Sequence, residues 1–462
     1  MTADWHRATE EVIEHLRDLI RIPSVNPPDG GPALAAGRDP SGGETAAARY
    51  CADVLADAGI AAEVLETAPG RGSCFARLPA TVADPAPPVI LLSHVDVVPV
   101  EGEAWTHDPF GAELIDGVVW GRGAVDMKQM VAMELGVMKA LAAAGDARRR
   151  DVIFASVSDE EAGGTFGARH WVDHRPDLFC GADGRPAEAA LNEIGGYSMT
   201  VGGRRVYAIQ VAEKGIIWTR VSADGTPGHG SMPHADNPAV KLAAALHRLA
   251  EQPHKARVIP LVHEFLDELG LQEVIAGAEQ GDERAIAAAL HEAIDDPIVR
   301  RSLNAMVRDT VTPTVIKVGQ KMNVIPGSGV AELDVRTLPG TDQDKLLEEL
   351  QRTAGPDVRV EAVVTLPPVE WPADAPIVRL MDEALRSADP DATPVPMMIT
   401  PGTDAKALAS LGIPTYGFAP LRLEPQTPFL DLFHAHDERV PVSALAFGLP
   451  VLYEVVSRFV LG

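Results

Sequence analysis

Cysteine is scarce in this sequence: Cys51, Cys74 and Cys180 are scattered along 462 positions. They are too few and too dispersed for a disulfide framework or a cysteine-based metal site, so a reducing, cytoplasmic compartment is the expected setting. Basic residues are in deficit as well. Lys and Arg number 40 against 66 Asp and Glu, a formal net charge of -26 at pH 7, which argues against nucleic acid or an anionic membrane surface as a partner. The N-terminal stretch lacks a basic-then-apolar leader; Val12, Ile13, Leu16, Leu19 and Ile20 recur at helical spacing and predict an amphipathic helix. The most apolar stretch, "VPVSALAFGLPVLYEVVSRFVLG", is broken by Pro450, Glu454 and Arg458, which favours a buried terminal helix over a membrane span. Internal repeats and low-complexity tracts are missing too.

What is present is an ordinary globular composition, 46% hydrophobic and 23% charged, in a chain long enough for two domains. The runs "PVILLSHVDVV", "DVIFASVSDEE" and "AALNEIGG" each read as a buried strand entering a polar turn, alternating with helical patterns. That order predicts an α/β sheet with polar residues at the strands' carboxyl ends. After about Ala212 the pattern becomes β-α-β-β-α-β, the ferredoxin-like unit, interrupted near 251–309 by a charged helical insertion. The predicted domains are therefore residues 1–211 and 367–462, forming one α/β domain with a mixed sheet, and an inserted α+β domain over 212–366.

Several of the strand ends carry chemistry. In "LLSHVDVV", His94 has Asp96 two residues on, on the same strand face, where a carboxylate can orient an imidazole; alone, an H-x-D is more often a satisfied turn. Asp126 in "WGRGAVDMKQ" reads better, taken alone, as the N-cap of the next helix. "SVSDEEAGG" gathers Asp159, Glu160 and Glu161, whose burial is unfavourable unless cations neutralise it. A solvated charge run is the common alternative, but the apolar strand before it and the glycines behind it favour a metal site. Glu193 in "LNEIGG" repeats the theme. "FHAHDERV" offers His434 and His436 beside Asp437 and Glu438, and residue chemistry does not choose between the two imidazoles. Two imidazole positions with at least three carboxylates suit two divalent ions sharing a bridging carboxylate, with a spare glutamate to deprotonate water. Histidine ligands favour zinc over magnesium. In the insert, His229 sits in a Gly/Pro loop, with a plain turn histidine as the alternative; Asn323 and Arg336 offer groups for a substrate carboxylate, although an arginine at a strand end is ordinarily surface. The "TPGTDAKAL" turn opens a helix and suits an anion.

Taken in order, H-x-D, G-x-x-D-x-K, D-E-E-x-G, N-E, G-H-x-S-x-P, N-V-I-P, G-T-D-A and H-x-x-D-E, these motifs resemble the dizinc amidohydrolase family of glutamate carboxypeptidase, succinyl-diaminopimelate desuccinylase, acetylornithine deacetylase, aminoacylase and related dipeptidases. The likeness runs over essentially the whole chain. It implies a zinc-peptidase-like catalytic domain, and an inserted ferredoxin-like domain acting as lid and dimerisation surface in a homodimer. It also implies two Zn2+ ions, with Co2+ or Mn2+ as substitutes. His94, Asp126 and Glu193 would hold one ion, and Asp126, Glu161 and a late histidine the other. By the register of the last motif that histidine is His434. Glu160 would be the general base, Asp96 the carboxylate orienting His94, and His229 the oxyanion donor. Asn323, Arg336, Gly402 and Thr403 would hold the substrate carboxylate. The implied activity is hydrolysis of an amide beside a free carboxylate, in dipeptides or N-acyl amino acids, with a narrow biosynthetic deacylase as the alternative. A noncatalytic metal-binding protein is disfavoured because every proposed ligand and the base are present. Departures from the family pattern are Ile194 after Glu193, Lys406 in the "GTDAK" turn, and the length of the helical insertion.

Overall fold

The protein is described by a computed structural model covering residues 4–26, 43–100, 104–201, 203–251 and 254–462. The amphipathic pattern near the N-terminus forms the helix Trp5–Arg21, capped by Asp4, whose side chain accepts the Arg7 N–H, and it buries Val12, Ile13, Leu16, Leu19 and Ile20. The chain divides into two compact units, Met1–Val211 with Trp371–Met397 and Thr403–Gly462, and Ala212–Glu370 with Met398–Gly402.

The first unit is built on a large mixed sheet. Its strands run in the spatial order Ala62–Ala68, Arg71–Leu78, Arg150–Val157, Ala86–His94, Ala189–Asn192, Thr415–Gly417 and Arg204–Glu213. The strand ending at His94 lies between those ending at Val157 and Asn192 and runs parallel to both, as does Thr415–Gly417 beside Ala189–Asn192. Their apolar runs are buried on both faces, as parallel strands covered by helices must be. One face packs Ile90, Leu92, Ile153, Ala155 and Val157 against Trp171, Phe179 and Leu408. The helix Lys128–Ala144 packs near the same strands and against the first and last helices of the chain.

The last helix, Val442–Leu461, is long and apolar enough to cross a membrane. It buries Leu445, Leu449, Leu452, Val455, Val456 and Phe459, with Pro450 inside it. Each such side chain contributes about 1.5–3 kcal/mol when removed from water, so its apolar character is accounted for by packing.

The second unit contains an antiparallel sheet in the order Thr310–Val318, Ser328–Thr337, Gly215–Asp224, Arg359–Leu366. With the helices Pro238–Ala250 and Gln343–Ala354 this is the ferredoxin-like arrangement. Ala223, Leu242, Leu246, Leu333, Leu346 and Leu350 share its core. Among the described residues, the charged insertion forms four short helices, Pro260–Glu268, Gln272–Gln280, Glu283–Ala293 and Pro297–Met306.

Candidate active site

Parallel register brings the first ligating candidates together. His94 pairs with Val157, and Leu91 pairs with Leu191, so His94, the turn at Glu160 and Glu161, and Glu193 all leave the sheet at one edge. The turn after Val157 is tight: Asp159, Gly163 and Gly164 have φ of +67°, +92° and +70°, and glycine takes that backbone without the Cβ penalty. Asp126 is not a helix cap. The helix begins at Lys128 with Met127 in the capping position and no side-chain cap bond, which frees the Asp126 carboxylate for the cluster.

Asp126 stands between two imidazoles. Its Oδ1 lies 3.2 Å from His94 Nε2, and its Oδ2 lies 3.2 Å from His434 Nε2. Glu193 Oε2 is 3.7 Å from the same His94 nitrogen, and Glu161 Oε2 is 3.1 Å from the same His434 nitrogen. His94 Nδ1 meets the Asp96 carbonyl at 3.0 Å and its carboxylate at 3.4 Å. With its proton at Nδ1, His94 presents the Nε2 lone pair to the cluster. Asp96 also accepts the backbone N–H groups of Glu160 and Glu161, each at 3.1 Å, and Asn26 Nδ2 at 2.7 Å.

So many acids in one buried place perturb one another. Burial, then Asp126, pushes Glu161 up to about 7. Burial likewise takes Glu193 to about 7, and burial with Glu193 as neighbour raises Glu160 well above the usual carboxylate range. Burial opposes charge on Asp126, but His434 and His94 outweigh it and hold that carboxyl low. Hydrogen bonds to Asp126 and Glu161 raise His434 to about 10. Burial disfavours a charged His94, yet Glu193, Asp126 and Asp96 together raise it.

This donor set fits divalent cations. Ligating atoms of His94, Asp126 and Glu161 lie within 4.8 Å of one another, as do those of His94, Glu160 and Glu193. Glu161 Oε1 is buried without a hydrogen-bond partner, a cost that a cation would remove. Geometry leaves Glu160 close enough to His94 and Glu193 to be grouped with the ligands. It does separate the late residues: His436 packs edge-on against Trp105, 6.3 Å between ring centroids. Asp437 accepts Thr106 N and Oγ1 at 2.7 Å each, and Glu438 is committed to backbone amides.

The remaining sequence-predicted residues have their own settings. Thr403 is buried, and its hydroxyl oxygen accepts from Asn192 Nδ2 and from the Ala405 N–H, both at 3.1 Å. In the second unit, Gly402 closes the segment Met398–Gly402. His229 is exposed there, and its Nδ1 accepts the Ser231 N–H at 3.2 Å, which leaves Nε2 as the ring's donor. His229 pairs with Val324, and Asn323 O accepts the Gly230 N–H at 2.8 Å, so His229 and Asn323 share one short ribbon. Arg336 donates to both Asp334 oxygens, from Nε at 2.6 Å and from the second terminal nitrogen at 2.9 Å, while its Nη1 has no partner.

Sequence reasoning missed a buried network behind the cluster. Arg71 lies within 2.6 Å of Glu44 Oε1 and 3.3 Å of Asp159 Oδ1, all three being buried. It donates to Asn26 Oδ1 at 3.2 Å, and Asn26 leads on to Asp96. Asp404 was also passed over: it is buried beside Gly164, adds to the repulsion on Glu160, and its own carboxyl is raised by burial. Ile194 adopts φ +55° next to Glu193, a conformation that costs an L-residue roughly 1–2 kcal/mol.

Residues 90–458 match the sequence profile of Peptidase family M20/M25/M40. Aminoacylase-1 of Sus scrofa is 28% identical over 458 residues, covering 96% of this chain and 93% of the relative. Probable carboxypeptidase S-like 2 of Dictyostelium discoideum is 27% identical, covering 80% and 71%. An M20 family metallo-carboxypeptidase from Sulfolobus solfataricus shares the fold, with a TM-score of 0.70 at 19% identity over 96% of this chain and 98% of that one. The profile takes in the sheet edge, both imidazoles and the inserted unit alike, and the chain belongs to peptidase family M20/M25/M40, a family of metal-dependent hydrolases.

Proposed function

We infer that this protein hydrolyses an amide bond adjacent to a free carboxylate, with N-acyl amino acids as the leading substrate class. The observation that carries the reading is Asp126 offering one oxygen to each of two imidazoles, with two further glutamates beside them. The near full-length likeness to aminoacylase-1 supports the acyl amino acid class. The carboxypeptidase-like relative favours peptides as a second class, with dipeptides the form we propose, and a narrow biosynthetic deacylase is the alternative within either.

Two zinc ions, or cobalt or manganese in their place, would be held by His94, Asp126 and Glu193 and by Asp126, Glu161 and His434. Bound there, they would supply polarisation of the attacking water and the scissile carbonyl. Asp96 keeps His94 in the ligating tautomer and fixes the Glu160 turn. Glu160, its carboxylate flanked by the ligands, takes one proton from water as the oxygen adds to the carbonyl carbon. It returns that proton to the amine nitrogen as the C–N bond breaks. His229 offers its Nε2–H to the developing oxyanion. Asn323, Arg336 through its free Nη1, Gly402 and Thr403 hold the substrate carboxylate. The inserted unit serves as lid and dimerisation surface of a homodimer, and a cytoplasmic location suits the three free cysteines.

The test is Glu160→Gln assayed with metal analysis on a panel of N-acyl amino acids, dipeptides and their carboxyl-amidated forms. The variant should keep its metal and lose turnover, and amidation should depress hydrolysis at least about tenfold. Full activity in Glu160→Gln removes Glu160 as base. Metal content without hydrolysis of any panel member would favour a noncatalytic protein.

A further inference from the structure

The carboxylate of Glu438 is fully buried and accepts four hydrogen bonds from one turn. Oε1 takes the N–H groups of Val125 and Asp126 at 2.7 and 3.1 Å. Oε2 takes the Gly123 N–H at 3.0 Å and Arg122 Nη1 at 2.7 Å. Arg122, itself 3% exposed, reaches back across the same gap, donating to Ala435 O at 3.1 Å and His434 O at 3.5 Å. Its guanidinium lies 5.1 Å from the Trp105 ring centroid, which limits where it can move. Backbone bonds extend the seam: Gly121 N–H donates to Glu438 O at 2.9 Å, and Trp120 and Val119 pair with Arg439 and Val440. The turn is shaped for this. Gly123 has φ +87°, and a Cβ there would come within 2.8 Å of the Lys128 side chain.

We propose that Arg122 and Glu438 are a pair of positioning residues that lock the Asp126 turn to the His434 loop and so set the spacing of the subsite formed by Asp126, Glu161 and His434. One residue of each segment holds the other segment's backbone, so neither Asp126 nor His434 is placed by its own strand alone. His94 and Glu193 sit on strand ends that the pair does not touch. Loosening it therefore shifts both Asp126 and His434 in that subsite but only the shared Asp126 in the other, so one cation is weakened more than the other. This rests on the two-cation reading above.

Arg122→Lys keeps a charge for Glu438 but cannot span the carbonyls of His434 and Ala435. Glu438→Gln replaces an acceptor oxygen by an NH2 facing N–H donors. Two readouts on the full chain decide the matter. In metal-free protein, hydrogen exchange of residues 433–438 should quicken in Arg122→Lys, and that of 121–127 in both variants. In zinc titrations, one of the two affinities should fall by about 10–100-fold while the other, which shares only Asp126, falls distinctly less. Exchange changes confined to the substituted segment, or equal loss of both ions, would overturn the proposal. Wild-type protein that binds no second ion would instead defeat the two-cation reading, with the exchange result still deciding whether the pair couples the segments.

Discussion

Asp96 Oδ1 accepts the backbone N–H of Glu160 at 3.1 Å. The carboxylate that orients His94 therefore also places the proposed proton carrier, and its other oxygen does the same for Glu161. Asp96→Asn should disturb all three at once, because an amide has a single acceptor oxygen and would turn an NH2 toward Asn26 or toward a backbone donor. Activity should fall by about 10–100-fold together with metal affinity. Unchanged kcat and unchanged zinc affinity would remove Asp96 from the machinery.

The titrating cluster predicts a pH dependence of known sign. Glu161 and Glu193 are raised to about 7 and His434 to about 10, so the metal-free folded state holds protons that the unfolded chain has already released. The slope of unfolding free energy with pH is then negative. The contribution from the two carboxyls is present at pH 5 and lost as pH rises through about 7, and that of His434 is lost toward about 10. Melting temperatures in chelator should fall from pH 5 to 8. Over the same range zinc affinity should rise, because binding expels protons. Calorimetry in two buffers of different ionisation enthalpy counts those protons; a count of zero would contradict the assignment.

His434 and His436 should separate cleanly on substitution. His434 Nε2 faces Asp126 and Glu161, whereas His436 packs on Trp105. His434→Ala should strip one ion and lower activity beyond the ~10–100-fold typical of an outer supporting residue. His436→Ala should keep both ions and most turnover. The reverse pattern in elemental analysis would show that the register runs from the wrong histidine.

The strand-end acids and His94 were legible because each follows an apolar run, and parallel pairing puts such ends at one edge. The ferredoxin-like order was legible for a similar reason, since alternation and helical spacing recur in sequence. Asp126 was ambiguous: a carboxylate before a helix looks like a cap, and only the helix start at Lys128 removes that reading. Arg71, Glu44 and Asn26 were not legible. Their bonds span 27, 45, 70 and 133 positions, and an arginine opening a strand reads as surface until the fold buries it.

That hidden arginine yields the sharpest stability prediction. Arg71 is fully buried between Glu44 and Asp159, also buried, and its guanidinium lies 5.3 Å from the Phe166 ring centroid. Arg71→Leu removes the charge that compensates two acids. Breaking a buried pair from one side costs about 3–5 kcal/mol, more than the pair's net worth, because the remaining charge is stranded. Burial, and then the nearby Asp96 charge, raises the Glu44 carboxyl well above its ordinary range even with Arg71 in place, so Glu44 can escape that penalty by taking up a proton. The loss in Arg71→Leu should therefore be largest near pH 8 and shrink toward pH 5, and Arg71→Leu with Glu44→Gln should recover part of it. Urea unfolding at the two pH values reads this directly. A loss below about 1 kcal/mol at pH 8, the range of an exposed ion pair, would mean that the network contributes no more than surface charge.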